Sequence, residues 1–140
     1  MENLGEFIVN HWVLSTAFVI LLWLVFSDAV LRRFSGVQQV DVNQAVRLSN
    51  QLKGRFVDVR EADEFNKAHI ADAINIPVAQ LADNVSVKLK DKSRPVILVC
   101  ASGQRAKNAA KPFRQQGFEQ VYVLSGGLHA WKEAKLPLFD

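Results

Sequence analysis

Residues 7–27 carry no formal charge, and residues 12–26 are almost wholly apolar. A helix that crosses a bilayer needs about 20 predominantly apolar residues. The run reaches that length when Phe7-Ile8-Val9 or Ala29-Val30-Leu31 is included. It is apolar on every face, unlike the striped helix of a soluble protein. Trp12 and Trp23 fall where interfacial aromatic belts lie. A cleaved signal peptide fits poorly, because the start carries Glu2 and Glu6 and no small-x-small site follows Phe26. The pattern therefore predicts one transmembrane helix, with residues 1–33 as anchor and flanks and residues 34–140 as a second domain. Arg32 and Arg33 follow the run, and a basic flank stays in the cytoplasm. The expected arrangement is a single-pass protein of a bacterial inner membrane, its amino terminus outside and its bulk in the cytosol.

Beyond a connector over residues 34–40, the pattern changes to short β-rich runs alternating with amphipathic ones. Strands are expected at residues 37–40, 56–59, 73–76, 96–100 and 121–124. The first is short and suits a sheet edge. The run 96–100 is continuously apolar, as the centre of a parallel sheet requires. Helices are expected from Asp41 or Asn43 to about Leu52, stopped by Gly54, and over residues 106–116 and 128–133. Shorter turns are expected near residues 62–65, 78–81 and 85–89, and Pro112 marks a kink or junction. Strands alternating with helices predict an α/β domain with a mostly parallel sheet. Sites in such sheets form beyond the carboxyl ends of the strands. Residues 58–61, 100–105 and 125–127 fall at those ends.

Composition narrows the function. A formal charge of +3 over 140 residues makes nucleic-acid binding a poor default, since phosphate tracking needs clustered Lys and Arg. The stretch 88–94 reads as a solvated basic loop. One cysteine excludes an intramolecular disulfide and a Cys-rich zinc site. His11, His69 and His129 show no metal-ligand spacing, so neither metal nor cofactor is expected.

That single cysteine, Cys100, ends the central apolar run. Ala101, Ser102, Gly103, Gln104 and Arg105 follow and lead into a helix. Such a loop can curl its N–H groups inward, with Gly103 supplying the freedom. Inward N–H groups and a helix start make an anion cradle, which favours a thiolate and would hold a persulfide. A buried structural cysteine is the competing reading. The combination with Gly103, Arg105 and the helix favours the nucleophile. Asp58 and Arg60 at a neighbouring strand end read as supporting residues that hold loops. Glu61 and Glu64 read as caps or solvated groups, His69 as a structural histidine, and Trp131 as core or pocket wall.

The domain resembles a single-domain rhodanese. The matching pieces are Asp58-Val59-Arg60-Glu61, Glu64-Phe65, His69-Ile70, Ala73-Ile74-Asn75-Ile76-Pro77, residues 100–105, and Leu124-Ser125-Gly126-Gly127 with Trp131. With the apolar run, the whole resembles the bacterial membrane-anchored rhodaneses. The resemblance implies a sulfurtransferase in which Cys100 takes sulfur from a donor such as thiosulfate, becomes a persulfide, and passes the sulfur to cyanide or a thiol. The loop N–H groups of residues 101–105 would hold that persulfide. Implied partners are the small donor, a thiol or protein acceptor, the lipid bilayer at residues 7–27, and protein partners at the membrane. Ala71-Asp72 stands where many members have Pro-Gly, which touches a turn and not the loop. A related cysteine phosphatase would place five residues between Cys and Arg; here there are four. A tethered interaction module with little catalysis is the other alternative.

Overall fold

The computed structural model describes residues 2–35 and 37–140; side chains are described for residues 3–27 and 37–140. Gly36, in the expected connector, lies outside the described residues, as do the side chains of Arg32 and Arg33. The chain divides into two compact units, Met1–Gly36 and Val37–Asp140.

The first unit holds two helices, α1 (Glu2–Asn10) and α2 (Trp12–Ser35). This corrects the expectation of one transmembrane helix through residues 7–27. Among the described residues no single helix is long and apolar enough to cross a membrane. Asn3–Asn10 and Trp12–Ser27 reach that threshold together, by length and composition, but are bent by 89° at the break. The break falls at the polar pair Asn10-His11. Both residues are poorer helix formers than the leucines that follow, and the Asn side chain competes for backbone hydrogen bonds. The apolar side chains are exposed, among them Trp12, Leu14, Phe18 and Trp23.

The second unit is an α/β domain around a five-stranded parallel sheet ordered β1-β5-β4-β2-β3. The strands are β1 (Gln38–Val40), β2 (Arg55–Asp58), β3 (Ile74–Asn75), β4 (Val96–Val99) and β5 (Val121–Leu124). The short runs β1 and β3 form the edges, and the all-buried β4 sits in the centre. The strand expected over residues 56–59 begins and ends one residue earlier, and that over 73–76 shrinks to two residues before Pro77.

Helices cover both faces. The first, α3 (Val42–Leu52), starts on a capping box: the Gln44 N–H donates to Asp41 Oδ1 at 2.7 Å, and the Asp41 N–H donates to Gln44 Oε1 at 3.1 Å. The left-handed residue that ends it is Lys53, not Gly54 (φ 55°). Next come α4 (Ala62–Lys67), a 3-10 turn at Val78–Gln80, and α5 (Leu81–Lys88). The last two are α6 (Gln104–Gln115) and α7 (Gly127–Glu133). Pro112 lies inside α6, which runs on to Gln115 despite the intrahelical N–H that proline lacks.

Alternation along the strands splits the core in two. Val57, Leu98 and Val123 point to one face, with Phe113 and Phe118 in edge contact at 5.4 Å. Phe56, Ile97, Val99 and Leu124 point to the other, where Trp131 meets Phe56 edge-on at 5.5 Å. Because every strand runs the same way, Asp58, Val99 and Leu124 close adjacent strands at one end of the sheet.

At that end α7 seats itself against the segment following β4. Gly127 has φ 57°, and a Cβ there would lie 2.2 Å from the Cys100 carbonyl oxygen. Gly127→Ala is expected to lose about 3 kcal/mol of stability, from overpacking plus a left-handed backbone. Denaturant unfolding checks this.

Candidate active site at the end of the central strand

The site grows out of β4. Cys100 follows its last residue, and the next four residues turn back to start α6 at Gln104. Gly103 caps that helix with φ 99°, a conformation L side chains rarely adopt. The turn brings the Gly103 N–H onto the Cys100 sulfur, donating at 2.9 Å. Cys100 itself is 1 % exposed. Ala101, Ser102 and Gln104 are exposed around it, and Gly103 is buried. The sulfur thus sits where an N–H and the positive end of a twelve-residue helix converge.

The loop is held from the α7 side. Leu128 N–H donates to the Cys100 carbonyl at 2.8 Å, and His129 N–H donates to the Ala101 carbonyl at 3.1 Å. These are early donors of α7 that would otherwise lack partners. The turn at residues 125–127 and the cysteine loop therefore meet, as their places at strand ends anticipate.

Arg105 is held from the other side. Its guanidinium makes a two-pronged pair with Glu64, Nη1 to Oε2 at 2.8 Å and Nη2 to Oε1 at 3.0 Å. Glu64 also accepts the Glu61 N–H at 3.1 Å, closing the cap of α4. The Arg105 hydrogen bonds, above all, pull the Glu64 carboxyl from 4.5 down to about 2; the Glu61 N–H adds to this and desolvation opposes it. Arg105 is pushed above its ordinary range by the same pair, with smaller contributions from Cys100 and Asp58. Glu64, expected as a cap or a solvated group, is both a cap and the partner of Arg105. The signal available was the Glu61/Glu64 capping spacing, but nothing local joins residues 41 apart in sequence.

Asp58 and Arg60 build the platform beneath α4. Arg60 Nη2 donates to Asp58 Oδ2 at 2.7 Å, Nε donates to both carboxylate oxygens at 3.0 Å, and the Arg60 N–H donates to Oδ1 at 3.0 Å. Arg60 also donates to the Ala68 carbonyl, fixing the far end of α4. Asn75 donates to the Asp58 and Arg60 carbonyls. His69 stacks on Phe65 at 4.0 Å and pairs with Phe139 through backbone hydrogen bonds, a structural placement. Trp131 packs in the core of the opposite sheet face from the one holding Cys100, with its Nε1 donating to the Pro137 carbonyl at 3.1 Å. Residues 71–72 form a turn in which Asp72 takes φ 60°. Among the described residues no cluster of three or more His, Cys, Asp or Glu side chains gathers to hold a metal.

A rhodanese-like domain family matches residues 41–134. The uncharacterized protein YibN of Escherichia coli (strain K12) is 35% identical over 99% of this chain and 97% of its own length. Thiosulfate sulfurtransferase GlpE of Shewanella oneidensis is 37% identical over 71% of this chain and 97% of its own. The crystal structure of the Alr3790 protein from Anabaena sp. superposes with a TM-score of 0.64 at 32% identity, covering 71% of this chain and 81% of that one.

Two outcomes follow from these contacts. Glu64 has a depressed carboxyl in the folded state, so its contribution is complete above about pH 4.5 and is lost as pH falls toward about 2. Stability measured across that window should fall less steeply in Glu64→Gln than in the wild type. Asp58→Ala leaves a buried guanidinium without its carboxylate and should destabilise the domain by about 3–5 kcal/mol, read by chemical denaturation.

Proposed function

The chain belongs to the rhodanese-like family, and from that premise we propose that it is a membrane-tethered sulfurtransferase working through a persulfide on Cys100. One observation carries the reading: the Gly103 N–H donates to a buried sulfur at the start of α6, inside a loop pinned on both flanks. A sulfurtransferase assignment also agrees with the similarity to GlpE.

In the first half-reaction the Cys100 thiolate attacks the outer sulfur of thiosulfate. A new S–S bond forms, the old one breaks, and sulfite leaves with the bonding pair. The product is a Cys100 persulfide, one sulfur longer and still anionic. The helix start and the loop N–H groups of residues 101–105 receive that charge, at the place where it moves outward by about one bond length. In the second half-reaction a thiolate or cyanide attacks the outer sulfur, and the bonding pair returns to Cys100. One difficult transfer becomes two displacements. Four residues between Cys100 and Arg105 leave a tight loop, suited to a single sulfur. Arg105 acts as a positioning residue: tied to Glu64, it closes the loop against α4.

Residues 1–33 serve as the anchor and residues 34–140 as the transferase. Support for the anchor comes from the exposed apolar side chains of α1 and α2 and from the span of the YibN similarity, which includes them. The domain then works at the cytosolic face of a bacterial inner membrane, on a small donor and a thiol or protein acceptor.

Mass spectrometry after thiosulfate treatment tests the chemistry. A gain of one sulfur atom is expected on the wild type and none on Cys100→Ala; no gain on the wild type would assign the domain to binding instead. Arg105→Ala should slow persulfide formation about tenfold, equivalent to ~1.4 kcal/mol. An unchanged rate removes Arg105 from the assignment.

A further inference from the structure

The chain enters the α/β domain at Val37 and passes straight into β1. In a parallel sheet the amino ends of all strands lie together. Here Gln38 pairs with Tyr122, Arg55 with Val96, and Val96 with Val121, so the point of entry shares one end of the sheet with the starts of β2, β4 and β5. Cys100 lies at the opposite end.

That amino end is basic. Lys53, Arg55, Lys90 and Lys92 are exposed, and Arg94 is half-buried. The backbone gathers them: Arg55 N–H donates to the Pro95 carbonyl at 2.9 Å, and Glu119 N–H donates to the Lys92 carbonyl at 3.3 Å. Lys53, Arg55 and Arg94 border a cavity of about 370 Å³ together with Asp72. Arg55, Lys90 and Arg94 border a second of about 320 Å³ together with Asp91. Asp91 is already engaged, by the Ser93 N–H at 3.0 Å and by Arg94 at 3.4 Å. Hydrogen bonds from Ser93, and then the charges of Arg94 and Arg55, hold its carboxyl below the ordinary range. Glu119 and Asp72 also lie at this end, ahead of β5 and β3.

Basic loops are commonly only solvated. Two things separate this one. Its cations come from two segments, residues 53–55 and 90–94, that converge on the sheet end where the chain enters the domain, and the described apolar side chains of residues 3–27 are exposed. We infer that the amino end of the sheet docks on the anionic headgroups of the membrane that holds residues 7–27, leaving the Cys100 loop open to soluble donors and acceptors. Lys and Arg beside an anionic leaflet are attracted within roughly one Debye length, about 8 Å at physiological salt. This surface rests on the membrane reading above and adds an orientation to it.

Full-length protein would be assembled with nanodiscs of phosphatidylcholine, or of phosphatidylcholine with phosphatidylglycerol, and amide hydrogen exchange followed. Exchange at residues 53–55 and 90–94 should slow severalfold in the anionic discs alone. Raising salt to ~0.5 M, which shortens screening to about 4 Å, should abolish the protection. So should the Lys90→Glu/Lys92→Glu variant, with circular dichroism confirming its fold. Identical exchange in both discs overturns the docking surface while co-purification with both keeps the anchor. Association with anionic discs alone keeps the surface and removes the anchor. Failure to associate with either removes both. Salt-sensitive protection that ignores lipid charge would also overturn the proposal.

Discussion

The site depends on the backbone contact between the cysteine loop and the first turn of α7. Leu128 and His129 donate to the carbonyls of Cys100 and Ala101. With those carbonyls drawn toward α7, the peptide that follows turns the Gly103 N–H back onto the sulfur. A helix start always leaves donors without intrahelical partners. Those of α7 are used on the loop, while α6 begins beside the sulfur. Two helix starts meet one loop and serve different ends: one sets its shape and the other its charge. Only a residue without a side chain lets the backbones approach this closely, which is why Gly127 stands at the junction.

The second flank is electrostatic. Arg105 reads from sequence as a cation for the thiol, yet its guanidinium is occupied by Glu64. Half-exposed ion pairs contribute little to global stability. Their effect here is geometric, because the two-pronged pair fixes the start of α6 against α4. The chain of support runs backward from there. Asp58 and Arg60 secure both ends of the segment that carries Glu64, and the parallel sheet brings Asp58 beside the cysteine strand.

Local patterns made the fold legible wherever local physics decides it. The apolar run of β4, the Asp41 cap and the Ser125-Gly126-Gly127 turn each carry their own signal. Cys100 stands out only in combination, because Gly103, Arg105 and the helix after it weigh against a buried structural cysteine. Long-range choices were hidden. Neither the Glu64–Arg105 pair nor the burial of Trp131 on the opposite face follows from spacing. The break at Asn10-His11 was also missed. A charge-free stretch reads as continuous when only charge and hydropathy are weighed, whereas backbone preference at two polar residues divides it.

The segment after α7 has a consequence for handling the protein. Trp131 donates to the Pro137 carbonyl, and Phe139 exchanges backbone hydrogen bonds with His69, just beyond α4. These last residues act as a strap between the helix that shapes the loop and the helix that carries Glu64. A purification tag or reporter joined directly at Asp140 would load the contacts that tie α7 to the segment after α4. A flexible spacer at that point leaves them undisturbed.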